Sequence, residues 1–145
     1  MIRVFLDANI LIDVTDSTRK TSKISAEFIK IMFDNMDTYK LYTSCDLITT
    51  IYYVSRKELD RIEALQQIKT ISKFITIIEF GNKEVDEAIE LMERNDKYKD
   101  LEDTIQYVMA RKEKCDYIIT NDKNFASGDV PVLSSKEALK ELNEN

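Results

Sequence analysis

Short apolar segments alternate with longer helix-patterned segments along this chain, and that alternation constrains its fold more than any other feature. Five apolar segments have the length and composition of buried strands; they lie at 3–6, 40–43, 75–78, 116–120 and 130–133. The intervening segments carry apolar residues at helical spacing and predict helices over 18–36, 45–57, 58–73, 82–95, 100–113 and from about 134 onward. Strands that lack a polar face and are separated by helices predict an α/β fold, with a parallel sheet covered on both faces.

Length and composition favour a single globular domain over residues 1–145. Hydrophobic residues make up 43% of the chain and charged residues 33%, which is ordinary for a globular protein. No apolar run reaches the ~18 residues that a membrane span needs, and Asp7 lies where a signal peptide would be apolar. Cys45 and Cys115 have no metal-binding or redox spacing, so we expect reduced thiols in a cytosolic protein without a membrane partner.

Three features of the composition exclude whole classes of chemistry. The formal net charge of −6 argues against binding nucleic acid through bulk positive charge, although a local basic rim stays compatible with it. The chain has no histidine, which excludes histidine metal sites and every Ser-His or Cys-His mechanism. It has only two glycines, which excludes a glycine-rich phosphate loop.

Three aspartates are expected at one edge of the predicted sheet. Asp7 ends the first strand, Asp122 follows the fourth strand, and Asp103 lies near the start of the helix over 100–113. Each has an ordinary explanation alone, as a helix cap, a turn residue or a first-turn acid. Together they would repel one another beyond the carboxyl ends of the strands, where open parallel sheets bind ligands. Oxygen ligands that need a neutralising cation indicate Mg²⁺ or Mn²⁺.

The predicted helix over 100–113 brings further polar residues next to Asp103. At roughly 100° per residue, Asp100 and Tyr107 share the face of Asp103, whereas Glu102 points elsewhere and ranks below them. Leu101 is expected on the buried side. Asp100 is therefore either a metal ligand or an acid that only stabilises the helix N-terminus.

The predicted helix over 45–57 carries a second polar face. Ser44 is its expected N-cap, and Asp46, Thr50, Tyr53 and Lys57 recur along one side of it. Asp46 is either a further metal ligand or an ordinary N-terminal helix acid.

Four stretches of the sequence together resemble the PIN-domain family: FLDANILID, YYVSRK, DLEDTIQYVMA and YIITNDKNF. The resemblance spans about residues 2–135 and is greatest to small bacterial PIN proteins related to VapC-type toxins. It implies a three-layer α/β/α, Rossmann-like domain with about five parallel strands. It also implies a Mg²⁺- or Mn²⁺-dependent endoribonuclease, the toxin of a toxin–antitoxin pair. By position, it makes Asp7, Asp103 and Asp122 the metal ligands and catalytic residues, supported by Asn9 and Thr120.

The sequence departs from the family pattern at one position. Thr50 stands where the family often has a glutamate, so Asp46 or Asp100 would have to supply that carboxylate. The departure keeps open a second interpretation, a PIN-fold binding module with impaired catalysis. A receiver-like phosphoacceptor domain is disfavoured, because its third strand would end in an aspartate and this one is followed by Glu79.

The resemblance also implies partners. An RNA substrate would contact basic and aromatic residues at the edge of the site, and Lys57, Lys123 and Tyr53 are the candidates. Tyr107 is a second aromatic residue that could stack on a base. An antitoxin protein would block the acidic pocket with a basic side chain. A homodimer is expected, with Ile51 or Phe74 as candidate exposed apolar positions.

Overall fold

The chain forms a five-stranded parallel sheet of short apolar strands. The structure, a computed structural model, describes residues 1–144. The strands are β1 (Ile2–Leu6), β2 (Tyr39–Ser44), β3 (Ile75–Ile78), β4 (Tyr117–Ile119) and β5 (Val132–Leu133). Their order in the sheet is β3-β2-β1-β4-β5, and each neighbouring pair is parallel. The predicted α/β class, with about five parallel strands, is confirmed.

Helices cover both faces of the sheet, which makes the three predicted layers. They are α1 (Ala8–Thr15), α2 (Ser22–Asp34), α3 (Leu47–Ser55), α4 (Arg61–Phe74), α5 (Asn82–Arg94), α6 (Leu101–Lys112) and α7 (Ser135–Glu144). Side chains of a strand alternate between faces, so Val4 and Leu6 pack into one apolar cluster and Phe5 into the other. The first cluster includes Phe28 of α2, and the second includes Met109 of α6.

The strand order creates a crevice between β1 and β4. From β1 the chain builds outward to β2 and β3, then crosses back to place β4 on the other side of β1. The connections that leave β1 and β4 therefore run to opposite faces, and such a switch point is where open α/β sheets bind ligands. Leu6 pairs with Ile119 at this edge, so Asp7 and Thr120 follow side by side.

The predicted helix over 18–36 is wrong at its start, and α1 was missed. Asp7 caps α1, because its Oδ1 accepts a hydrogen bond from the Ala8 amide at 2.6 Å. The chain then turns before α2, and Asp16 Oδ1 accepts from the Thr18 amide at 3.0 Å in this turn. Eight apolar-rich residues directly after a strand are too few to give a helical period that sequence alone can separate from the strand.

Two further boundaries were predicted wrongly around α3. Ser44 is the last residue of β2 rather than an N-cap, and its hydroxyl donates to Asp46 Oδ1 at 2.5 Å. The helix predicted over 45–57 ends two residues early, because α3 ends at Ser55. A new helix starts after Asp60, whose Oδ1 accepts from the Glu63 amide at 2.8 Å.

Three predicted exposures are also wrong. Leu101 is 44% exposed instead of buried, because it is the first residue of α6 and lies at the rim of the site. Ile51 is fully buried in the core and cannot serve a dimer surface. Tyr107 is buried, and its hydroxyl donates to Asp129 Oδ1 at 2.6 Å, so it cannot stack on a base. Within the described residues, every helix is too short or too polar to cross a membrane.

Candidate acidic active site

Asp7 lies at the centre of the crevice and is buried. Its Oδ1 accepts from the Ala8 amide at 2.6 Å, and its Oδ2 accepts from Thr120 Oγ1 at 2.7 Å and from Asn9 Nδ2 at 2.9 Å. A carboxylate has about four acceptor positions, so this hydrogen bonding fixes the group and leaves one position free. Burial raises the pKa of Asp7, and the Asp122 charge adds to the rise.

Asn9 and Thr120 join the strand ends of β1 and β4 into one hydrogen-bonded unit. Asn9 Nδ2 also donates to Thr120 Oγ1 at 3.0 Å, and Asn9 Oδ1 accepts from the Asn121 amide at 3.2 Å. Thr120 Oγ1 in turn accepts from the Asp122 amide at 3.1 Å. The structure therefore brings Asp7, Asn9, Thr120 and Asp122 together, at the edge where the sequence predicted them.

The N-terminus of α6 supplies the second side of the acidic site. Asp100 caps the helix, since its Oδ1 accepts from the Asp103 amide at 2.9 Å. Asp103 lies in the first turn, and its pKa rises to about 7. Burial is the largest cause, followed by the charges of Asp100, Asp7, Asp122 and Glu102. Four carboxylates thus act on Asp103 from three different segments of the chain.

The end of β2 contributes to the same negative field. Burial is the largest cause of the raised pKa of Glu102, followed by the charges of Asp46, Asp7 and Asp100. These charges place its side chain near the acidic site, and its lower rank as a metal ligand stays a prediction. Asp46 lies near enough to these acids to act on Glu102, although it makes no side-chain cap of α3.

The remaining predicted residues are all exposed. Thr50 and Tyr53 are exposed on α3, and Lys57 is exposed just after it. Lys123 is exposed beside Asp122. No side-chain hydrogen bond joins any of these four to the acidic residues in the part of the chain that the structure describes, so their roles stay predictions.

Two features of the site were not predicted from the sequence. The side chain of Asn121 fixes the turn that follows β4: its Nδ2 donates to Asp13 Oδ2 at 3.0 Å, and its Oδ1 accepts from the Ser135 amide at 3.0 Å. Gln106 is fully buried on α6, one turn after Asp103, and its amide acts on Asp7. The polar character of Gln106 inside an otherwise apolar helix face was the available signal.

The donor set suits a hard divalent cation. Among residues 1–144, no three Asp, Glu or Cys side chains are already close enough together to form a metal-binding group. The converging groups are nevertheless all carboxylates, with a free acceptor position on Asp7 and mutual repulsion that a cation would relieve. Such a centre can polarise a phosphate and activate water.

Sequence comparison identifies the family to which this arrangement belongs. The PIN domain model matches residues 4–130. The chain is a member of the PIN-domain family. It is also 46% identical over 141 residues to ribonuclease VapC1 of Aquifex aeolicus (strain VF5), an alignment that covers 97% of this chain and 96% of that protein. The family predicted from the sequence motifs is confirmed.

Solved structures of low sequence identity share the fold. Mycobacterium tuberculosis VapC20, a sarcin–ricin loop cleaving toxin, superposes with a TM-score of 0.66 at 13% identity, over 84% of this chain and 92% of that one. A toxin–antitoxin complex from Klebsiella pneumoniae superposes with a TM-score of 0.66 at 17% identity, over 91% of this chain and 97% of that one. At these identities the comparison supports the PIN-like architecture alone.

Proposed function

We propose that this protein is a metal-dependent endoribonuclease of the VapC type, acting as the toxin of a toxin–antitoxin pair. The observation that carries the proposal is the position of Asp7 and Asp122 at the β1/β4 switch point, near enough to Asp103 for their charges to act on it; burial first, and then the neighbouring acids, raise the pKa of Asp103 to about 7. The 46% identity, over nearly the full length, to a protein named ribonuclease VapC1 supports RNA cleavage as the reaction of this acidic site.

Mg²⁺ or Mn²⁺ is the proposed cofactor, with Asp7, Asp103 and Asp122 as its ligands. Asp100 or Asp46 takes the place of the family glutamate that Thr50 replaces, directly or through a water molecule. Bound there, the cation would lower the pKa of a water molecule and offset the charge of the scissile phosphate. The three carboxylates would hold the cation, while Asn9 and Thr120 keep Asp7 in a fixed orientation.

Proton transfer in this site has to proceed without an imidazole, because the chain has no histidine. A carboxylate that holds the cation would stay ionised, so the water molecule that the cation would activate has to replace a side-chain base. We propose direct attack of water on the phosphodiester, which leaves a 5′-phosphate on the downstream product. Attack by the RNA 2′-hydroxyl would leave a cyclic phosphate instead, so the product ends distinguish the two routes.

A cleft beside Asp122 offers a path for the RNA backbone. It has a volume of about 650 Å³, and the charged residues that line it are Asp122, Glu137, Lys20, Lys123 and Lys136. Three lysines around a cleft next to the acids supply a local basic rim that a chain of net charge −6 otherwise lacks. Lys123 is thus the best supported of the predicted RNA contacts, with Lys57 and Tyr53 on the α3 side.

Further parts of the proposal concern context. An antitoxin would place an arginine or lysine in the acidic crevice, and two copies of the chain would associate as a homodimer through a surface that includes Phe74 but not Ile51. We also propose that residues 1–145 form one PIN domain and that the protein acts in the cytosol. A pulldown that recovers no small basic-tailed partner, and a monomeric mass in solution, would contradict the first two points.

The decisive experiment is RNA cleavage with and without the metal. Wild-type protein should cleave an RNA with Mn²⁺ or Mg²⁺, and lose this activity in EDTA. The Asp103→Asn variant should lose at least about two orders of magnitude in kcat, because it removes a ligand that touches the reacting centre. The Asp86→Asn variant is the matched control, since Asp86 is exposed on α5.

The same experiment tests the binding-module alternative, which the Thr50 departure favours. A wild-type protein that binds RNA but cleaves none with either metal would establish that alternative and refute the nuclease. Cleavage that survives both EDTA and the Asp103→Asn change would point to a contaminating enzyme.

A further inference from the structure

Gln106 is a buried polar side chain without a hydrogen-bond partner. Within residues 1–144, its Nε2 and Oε1 are the only buried side-chain atoms without a hydrogen-bond partner. The side chain is fully buried and can donate two hydrogen bonds and accept two. An unpaired buried amide destabilises a fold, so it needs a separate explanation.

The position of Gln106 ties it to the acidic site. It lies three residues after Asp103, which places both on the same side of α6. Its amide is near enough to Asp7 to lower the pKa of that carboxyl, but it completes no hydrogen bond with it. Asp7 already accepts from Ala8, Asn9 and Thr120, and its fourth acceptor position is free.

A purely structural role does not account for this residue. Neighbouring buried polar groups on α6 are paired within the fold; Thr104 Oγ1, for example, donates to the Asp100 carbonyl at 2.6 Å. The residues on either side, Ile105 and Tyr107, belong to a packed apolar cluster. A methionine of similar volume would fill the space at Gln106 without an unpaired group.

We infer that Gln106 is a positioning residue of the acidic site, whose amide pairs fully only when the site is loaded. A cation would take the remaining acceptor position of Asp7, so Gln106 acts through water molecules held in the crevice beside that carboxylate: its Nε2 donates to one and its Oε1 accepts from one. Partners of metal-binding carboxylates act in this way, and their loss typically weakens metal binding about 10–100-fold. The cation in this inference rests on the proposed function.

The test compares the Gln106→Met variant with wild type in two measurements without RNA. Calorimetric titration gives the Kd for Mn²⁺, and differential scanning calorimetry gives the Tm of the metal-free protein. The Kd should rise about tenfold or more, while the Tm should stay equal or increase. Met109→Leu, a volume-conserving change on the same helix, is the control and should alter neither value.

Steady-state kinetics distinguishes a positioning role of Gln106 from a role in packing alone. With RNA as substrate, Gln106→Met at saturating Mn²⁺ should lower kcat with little change in KM, because the buried amide does not touch RNA. The Gln106→Glu variant keeps an acceptor oxygen and should retain tighter Mn²⁺ binding than Gln106→Met.

Each other outcome overturns the inference. An unchanged Mn²⁺ Kd in Gln106→Met would refute the positioning role, whatever the Tm. A clear decrease in Tm would identify the amide as a structural group, whatever the Kd. If wild type itself binds no Mn²⁺, the proposed metal-dependent function fails and this inference fails with it; if wild type binds and the variant matches it, only this inference fails.

Discussion

Replacing Asp103 by asparagine should stabilise the metal-free protein while removing its response to metal. The fold raises the pKa of Asp103 from its ordinary value of 3.8 to about 7, chiefly by burial and by the charges of neighbouring acids. Each pKa unit corresponds to about 1.36 kcal/mol, so the full shift corresponds to ~4 kcal/mol. Partial exposure of the group and solvent screening reduce this, and the lost interaction with the α6 N-terminus opposes it, which leaves about 1–2 kcal/mol.

The sign of the effect follows from proton linkage. A carboxyl whose folded pKa lies above its unfolded pKa binds more protons in the folded state between the two values. The contribution of Asp103 to the free energy of unfolding of wild type therefore falls as pH rises from about 4 through 7, and stays low above that. The Asp103→Asn variant does not lose this free energy of unfolding as pH rises. Its Tm should therefore exceed that of wild type by a small amount near about pH 5 and by roughly 3–8 °C near about pH 8.

Thermal unfolding in EDTA at several pH values checks this prediction, with Asp86→Asn as the control for a lost surface charge. Adding Mn²⁺ at about 100 times its Kd should then stabilise wild type by ~2.7 kcal/mol and leave Asp103→Asn almost unchanged. A variant less stable than wild type near about pH 8, or a Tm difference that does not vary with pH, would refute the argument that the acids repel one another.

Three further predictions concern other parts of the molecule. Asp13 is fully buried and accepts hydrogen bonds from Arg19, Thr21, Ser25 and Asn121, so Asp13→Ala should lower the free energy of unfolding by about 3–5 kcal/mol in urea titrations. Replacing the cleft lysines Lys123 and Lys136 by glutamine should weaken binding of single-stranded RNA in EDTA. The slope of log K against log salt should decrease in magnitude by about 0.7 for each lost phosphate contact. The same change at exposed lysines of α4 should alter neither the affinity nor the slope. Burial raises the pKa of the Cys115 thiol to about 12, so it should react with maleimide near neutral pH only after unfolding, and rapid labelling of the folded protein would contradict its placement.

The sheet and the acidic edge were predictable because both follow from local patterns. Apolar strands separated by helices define a parallel sheet, and Asp7 and Asp122 follow two of those strands directly. The parts that failed depend on tertiary context. Helix α1 is too short to show a period, and the burial of Tyr107 depends on Asp129, which is 22 residues away.

Glu102 illustrates what a helical wheel leaves open. A helical wheel assigns residues to faces along a helix, and it ranks Glu102 below Asp100 as a metal ligand. Burial and then the charges of Asp46, Asp7 and Asp100 nevertheless raise the pKa of Glu102, so its side chain lies near enough to these acids to interact with them. Its lower rank as a metal ligand stays a prediction.

The acidic crevice is held open by a second, fully paired polar layer beneath it. Asp13, Ser25 and Asn121 connect α1, α2 and the β4 turn, and Ser135 adds the start of α7. Asn121 belongs to this layer through its side chain and to the upper one through its backbone, which donates to Asn9. Repulsion among the upper carboxylates thus acts against a rigid support instead of a mobile turn. Since loss of the support would let the acids move apart, damage to the lower layer should weaken metal binding.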